Sequence, residues 1–370
     1  MCRIGCIKSI EPFHPSKALY LMLPQQEGHD NSGFAIVMKD LYGIFEPYKE
    51  LPLLSFSCTN KGKEIISNFM LKKGFSKKIF TWEPDFVEKE HYDFAKMDFY
   101  GFDVFNYPES ILKGSVKEKE EILLNTRLEL RKLLEKTADG YVFSFWPDTL
   151  TIKEIGNPND IGEYFNLWKE NKDILAKNIM IQYRQNTNYE IVRYAAHPFF
   201  LQGYTLCANG ENTFYVKNKE YQQSLHKGYI GFESDSQCFL YTLHYLHHEL
   251  KWPFAYYKHV ITPLPFEEIE EHPDKQILYK IRESLAHLEI NGPNTVIGLL
   301  PDNTMFTVCD SKKLRPVVVG ADNKIVAITS EVNGLNVILP DRDKTKDVYP
   351  NERETVVVTN ELRIERWKQI

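Results

Sequence analysis

The sequence predicts a layered α/β or α+β fold, and three observations lead there. Short apolar-rich runs recur along the chain from Arg3–Ile7 to Val356–Thr359. Stretches with helical apolar spacing lie between them. Hydrophobic residues make up 43% and charged residues 26%, the balance of a globular chain that buries a core. Many strands interspersed with several helices bury their apolar faces by stacking in layers.

In chain order, Arg3–Ile7 reads as a strand beginning at the first residues, Ala18–Leu23 as a helix, and Ser32–Met38 as a return to strand. The turn-rich Gly28-His29-Asp30-Asn31-Ser32-Gly33 joins the last two. From about 41 to 175 the pattern is mixed. Ile65–Lys73 and Lys117–Lys136 read as helices, the second with Ile122, Leu123, Leu130, Leu133 and Leu134 on its apolar side. Tyr141–Trp146 and Thr149–Ile155 read as strands. Residues 176–215 are strand-rich, and Ser236–Leu250 reads as a helix with Ser234 or Asp235 near its N-cap. Four short strands follow at Thr295–Leu300, Met305–Cys309, Arg315–Val319 and Ile325–Thr329.

Composition narrows the function classes. The net charge of −6 supplies no field toward nucleic acid or an anionic membrane, and no basic groove accompanies the aromatics. No apolar stretch approaches the ~20 residues of a membrane span. Met1–Lys8 lacks a signal peptide's apolar core, so a cytoplasmic protein is expected. The six cysteines form no C-x-x-C pair and read as thiols. His244 and His248 stand at i, i+4 on a helix, a spacing compatible with metal, yet no third ligand is evident and no metal is expected.

Cys2 stands apart by position. Once Met1 is removed, its α-amine lies beside its own thiol. An α-amine has a pKa near ~7.7–8.0 and can act as base at neutral pH. One residue then supplies nucleophile and base, as an N-terminal threonine does. Position alone makes this a weak signal. Ala208-Asn209-Gly210-Glu211 has two readings. One is a hairpin turn, the usual role of Asn-Gly. The other is an oxyanion hole built from the Asn209 amide and the Gly210 N–H. Arg184 could grip a carboxylate bidentately or be an ordinary surface cation. Asp235, in Glu233-Ser234-Asp235-Ser236, could hold an ammonium or cap a helix.

Arg184-Gln185-Asn186-Thr187-Asn188, then Ala196-His197-Pro198-Phe199, then Asn209-Gly210-Glu211 resembles the glutaminase domain of glutamate synthases, which are class II (N-terminal-nucleophile) glutamine amidotransferases. That family carries Arg-x-x-Thr-Asn, an Ala-(Gln/His)-Pro-Phe box and His-Asn-Gly-Glu, and the stretch overlays without a gap. The early Cys2 with its apolar strand, His29–Gly33, Ser234-Asp235-Ser236, Leu314-Arg315-Pro316 and Ser330-Glu331 are similar to the family's elements in the same order. The resemblance covers most of the chain, poorly in the middle. Three departures stand out: Arg3 replaces a Gly, Ala208 replaces a His, and Gln185-Asn186 replaces a pair that begins with an apolar residue.

The resemblance implies a single amidotransferase domain over 1–370, a four-layer αββα N-terminal-nucleophile hydrolase fold with an insertion or subdomain at about 41–175. It implies Cys2 as nucleophile and Asn209 and Gly210 as oxyanion hole. Arg184, with Thr187 nearby, would bind the glutamine carboxylate, and Asp235 the ammonium. Arg193 is a rival for the carboxylate, because Arg193-Tyr194 is similar to an Arg-aromatic pair in smaller amidotransferases. The implied reaction is glutamine hydrolysis to glutamate and ammonia for a partner synthase subunit. FMN and an iron–sulfur cluster are expected only on partners, with no cofactor in this chain. Two other readings are a non-catalytic scaffold or regulatory subunit, suggested by Arg3 and Ala208, and a hydrolase of the same fold acting on another amide.

Overall fold

The apolar run at the chain start forms a strand that extends well past its sequence signal, to Phe13. In this computed structural model, which describes residues 2–88, 92, 94–187, 189–225 and 233–367, that strand is β1 (Arg3–Phe13). The others in chain order are β2 (Phe34–Gly43), β3 (Pro52–Cys58), β4 (Ser76–Trp82), β5 (Phe99–Asn106), β6 (Gly140–Pro147), β7 (Thr149–Glu154), β8 (Ile174–Tyr183), β9 (Phe199–Leu201), β10 (Tyr204–Gly210), β11 (Asn294–Leu299), β12 (Met305–Cys309), β13 (Val318–Ala321), β14 (Ile325–Thr329), β15 (Thr355–Val358) and β16 (Ile364–Trp367). They form a six-stranded sheet in the order β13-β14-β1-β8-β2-β7, a second of six in the order β16-β15-β12-β11-β10-β9, and one of four in the order β4-β5-β3-β6. Neighbouring strands run antiparallel throughout.

Alternation along the strands fixes how the sheets stack. Ile4, Cys6, Met180 and Ile328 of the first sheet share one core with Cys207, Ile297, Met305 and Val356 of the second. The opposite face of the first sheet, through Ile7, Ile36 and Ile181, buries against Leu19, Leu21 and Leu335 of the helices Ser16–Met22 and Val332–Ile338. The opposite face of the second, through Leu206, Val296 and Phe306, buries against the helices Gln237–Leu243 and Lys275–Leu285.

The middle of the chain builds the four-stranded sheet. Leu54, Phe56, Phe105 and Phe145 pack on the helices Asn60–Lys72 and Val116–Thr137, while Leu53, Phe102 and Val104 join the first sheet's helix-side core. Both faces are therefore buried, and all seven residues of β3 are solvent-excluded. The sheet ends where β6 turns at Asp148, in left-handed backbone at φ 52°, into β7, which is the edge of the first sheet. Asp148 Oδ1 accepts the Leu41 N–H at 2.7 Å and Ser55 Oγ accepts the Thr151 N–H at 3.0 Å, stitching the two sheets together.

Helix Val116–Thr137 starts at a capping box, with Ser115 Oγ accepting the Glu118 N–H and Glu118 Oε2 accepting the Ser115 N–H. Its buried face is Leu123, Thr126, Arg127, Leu130, Arg131 and Leu134, a stripe rotated from the expected one, so that Leu133 is exposed. The expected helix Ser236–Leu250 is α-helical over Gln237–Leu243 and widens to a π-helical turn over His244–Glu249. The strand expected from Arg315 begins only at Val318. Pro316 has no N–H to give a ladder, and Asp310 Oδ1 and Oδ2 hold the preceding turn through the N–H groups of Lys312 and Leu314. Among the described residues, no helix is long and apolar enough to cross a membrane.

Candidate active site

The register of the first sheet builds the site's floor. Arg3 pairs with Tyr183 across β1 and β8, which sets Cys2 beside Arg184-Gln185 just past the strand ends. Cys2 Sγ accepts the Gln185 N–H and donates to the Gln185 carbonyl, both at 3.4 Å. Burial pushes the Cys2 thiol pKa up, Asp235 adds to the rise, and the Gln185 N–H and Arg184 guanidinium oppose it.

Cys2 opens onto a cavity of about 200 Å³. Arg184, Gln185, Asn186, Thr187, Tyr189 and His197 form one wall. Ala208, Asn209, Gly210, Glu211, Ser234, Asp235, Ser236 and Arg315 form the rest. All six residues singled out from the sequence therefore converge. Arg184 is 3% exposed, its Nη1 donating to Ser32 O at 3.3 Å and its Nη2 to Asn186 Oδ1 at 2.8 Å. No salt bridge to a carboxylate occupies it among the described residues, and guanidinium N–H donors are left over for the cavity. Thr187 sits exposed at the rim, and Asn188 lies outside the described residues, as does Met1.

Asn209 is 1% exposed, and its Nδ2 is buried with no hydrogen-bond partner. An orphaned buried donor costs about 1–3 kcal/mol, so such a group in a cavity wall marks a place where an acceptor belongs. The hairpin reading of Asn209-Gly210 fails: both residues lie in β10 and pair with Thr295 and Asn294 of β11. Gly210 has φ +144°, and a Cβ there would stand 1.8 Å from the Pro293 carbonyl. Only glycine fits.

Asp235 is buried but does not cap the following helix, which begins after Ser236 without a side-chain cap. Its Oδ2 accepts the Asn212 N–H at 2.6 Å, and its Oδ1 accepts from the Ser234 and Ser236 hydroxyls at 3.2 Å each. Burial raises its pKa, while these donors work to keep it ionised. A buried carboxylate and a buried guanidinium thus face one cavity without being bonded to each other, an arrangement suited to a zwitterion.

The loop His29–Gly33 holds Arg184 in place. Gly33 O accepts the Arg184 N–H at 2.8 Å, and Asp30 Oδ2 accepts the Asn186 N–H at 2.9 Å. A Cβ on Gly33 would come within 2.9 Å of the Ala196 Cβ.

The departure at Arg3 loses its weight here. Arg3, next along β1, points to the opposite face, where Nη2 pairs with Glu331 at 2.9 Å and Nε donates to Gln25 O at 3.3 Å. It does not line the cavity. The Ala208 N–H donates to His197 Nδ1 at 3.1 Å. Burial, reinforced by Arg184 and Lys153, pushes His197 well below its usual pKa. The neutral ring then carries its proton on Nε2. Arg193, the rival for the carboxylate role, is consumed by an ion pair with the buried Glu154 at 2.7 Å.

Sequence reasoning assigned no role to His197, Tyr189, Ser236 or Arg315, and offered Ser234 only as a helix cap, which the structure does not show. The Ala-His-Pro-Phe box was the signal for His197. It also passed over the support from the middle region, where Arg127 Nη1 donates to Phe200 O at 3.0 Å and Arg131 pairs with Glu233, next to Ser234. The His244–His248 pair is stacked, with His244 Nε2 bonded to Gln202 Oε1 at 2.8 Å. No group of three or more His, Cys, Asp or Glu among the described residues is placed to hold a metal ion.

No protein-family model matches the chain. An uncharacterised protein of Archaeoglobus fulgidus is 27% identical over 233 residues, 62% of this chain and 60% of that one, so the match spans less than two thirds of that relative. Among solved structures, the chain is similar to the glutamine phosphoribosylpyrophosphate (PRPP) amidotransferase of B. subtilis complexed with ADP and GMP. The TM-score is 0.47 at 13% identity, over 100% of this chain and 50% of that one. A structure of the allosteric regulatory enzyme of purine biosynthesis gives 0.46 at 13% identity, again over 100% and 50%. A glutamine aminotransferase class-II domain protein from Silicibacter pomeroyi gives 0.32 at 9% identity, over 90% of this chain and 98% of that one. The chain spans half the length of the first two.

Proposed function

We propose that the chain is a glutamine-hydrolysing amidotransferase with Cys2 as its N-terminal nucleophile, on a four-layer αββα fold into which the four-stranded sheet is inserted. The observation that carries this reading is the buried, partnerless Asn209 Nδ2 in the same cavity as the Cys2 thiol. Arg184 takes the glutamine α-carboxylate and Asp235 its ammonium, which directs the side-chain amide toward Sγ. Thr187 closes the rim beside the carboxylate.

Removal of Met1 frees the Cys2 amine, which takes the thiol proton as Sγ adds to the amide carbon. The oxyanion settles between Asn209 Nδ2 and the Gly210 N–H. The protonated amine then gives its proton to the departing nitrogen, ammonia leaves, and a γ-glutamyl thioester remains. Water, deprotonated by the same amine, adds to the thioester and releases glutamate and the thiol. The ammonia passes to a partner synthase subunit, as in a glutamate synthase-like complex, and any FMN or iron–sulfur chemistry belongs to that partner.

The test is covalent. A diazo-ketone analogue of glutamine should label the processed chain once, at Cys2, with L-glutamine protecting. Labelling elsewhere, or a mature chain still beginning with Met1, would overturn the reading.

A further inference from the structure

A second polar cavity, of about 190 Å³, shares no lining residue with the first. Lys258, His259, Thr262, Glu268, His272 and Arg353 line it, with Leu264. Lys258 and His259 come from the short helix Tyr257–Ile261, and Arg353 lies just before β15.

Basic side chains here outnumber acidic ones. His259 is 5% exposed, and its Nε2 is buried with no hydrogen-bond partner. The Arg353 Nε is also buried and partnerless. His272 Nδ1 accepts the Asp274 N–H at 3.0 Å, which leaves Nε2 as the ring's remaining donor. The His259 and His272 ring centres are 6.4 Å apart. Glu268, the one acid among the lining residues, is 3.7 Å from Arg353 Nη1 with a 55% exposed side chain, which places it at the open side. The nearby buried Glu354 is held by Arg366 through bonds of 2.6 and 2.8 Å. The cluster also repels protons: burial first, then the charges of Lys258 and His272, push His259 down to about 3, and burial pushes Lys258 down to about 8.

A cavity with a guanidinium, a lysine, two imidazoles and unpartnered nitrogens on its wall calls for a compact, multiply charged oxyanion. We propose that it binds a phosphate group, free or as the end of a small phosphomonoester, between His259 Nε2, His272 Nε2 and the Arg353 guanidinium. Lys258 adds charge from the wall while its Nζ donates to Trp367 O at 2.9 Å.

The experiment is calorimetric titration of the full chain with inorganic phosphate and, separately, with glycerol 3-phosphate. Saturable one-to-one binding is expected, weakened at least tenfold in His259→Gln and in Arg353→Gln and unchanged in Arg184→Gln. Equal affinity for the two probes assigns the site to free phosphate, and tighter binding of the ester assigns it to a phosphomonoester. Arg353 is partly exposed, so its variant reports even if His259→Gln folds poorly. Absence of saturable binding, or binding lost in Arg184→Gln and kept in Arg353→Gln, would overturn the proposal.

Discussion

The cavity beside Cys2 and the four-stranded sheet of the middle region make opposite uses of burial. Around the cavity, buried groups are polar and several are left without partners: Asn209 Nδ2, Ser32 Oγ and Gln185 Oε1. In the four-stranded sheet, burial falls on Leu54, Phe56, Phe105, Leu130 and Phe145. Its two inward acids have lysine partners, Lys77 on Asp103 at 2.7 Å and Lys61 on Asp139 at 3.0 Å. The first region keeps unpaired polar atoms around an open cavity; the second uses its burial mainly for apolar packing, with Ser57 Oγ and Ser144 Oγ unpaired within it. They meet at Arg127 and Arg131, which carry the middle region's rigidity to Phe200 and Glu233.

That division can be broken by mutation. Cys2→Ala should lower glutamine hydrolysis by at least about 10³-fold, the scale of losing a nucleophile, while leaving the melting curve in place. Asn209→Ala should lower kcat by about 10²–10³ with no fall in Tm, since the amide donor removed has no partner to lose. A clear drop in Tm with kcat retained would make Asn209 a structural residue. Leu130→Ala should behave in reverse, losing about 2–5 kcal/mol of stability by chemical denaturation with kcat/KM of the folded enzyme unchanged. Arg131→Met should give the smallest kinetic change, a several-fold rise in glutamine KM with kcat preserved, because it acts on Asp235 only through Glu233.

A pH measurement probes Lys153, which lies between the two regions. Burial lowers its pKa to about 7, with Nζ donating to Ala196 O at 2.5 Å. The unfolded chain holds this proton up to about 10.4, so it binds more protons than the folded chain between the two values. Stability should therefore rise with pH from about 7 toward 10. In Lys153→Met that slope should be shallower, and an unchanged slope would mean that Lys153 is charged in the folded protein.

The two regions were also unequally legible in the sequence. Cys2, Arg184, Asn209, Gly210 and Asp235, which line one cavity, were singled out by residue type together with their order in the family that the sequence resembles. The burial of Asp235 away from any capping role came from the loop around it, which no local pattern announces. In the four-stranded sheet, β3 is buried on both faces, so Pro52–Cys58 shows no alternation to read. β4 opens with Ser76-Lys77-Lys78, a polar run in which the exposed Lys77 pairs with the buried Asp103, so it carries no apolar strand signal. The helical stripe of Val116–Thr137 was misplaced for a related reason: Arg127 and Arg131 lie on the buried face, and no apolar count includes them.

The placement of β1 bears on synthesis. It lies between β8 and β14, with Gly5 opposite both Ile181 and Thr329. During synthesis β1 therefore waits for one partner until residue 183 has emerged and for the other until residue 329 has. Pairing over such separations is slow, and the unpaired edge is open to wrong partners meanwhile. The residue that would become the nucleophile gains its neighbour Gln185 only when β8 closes on β1.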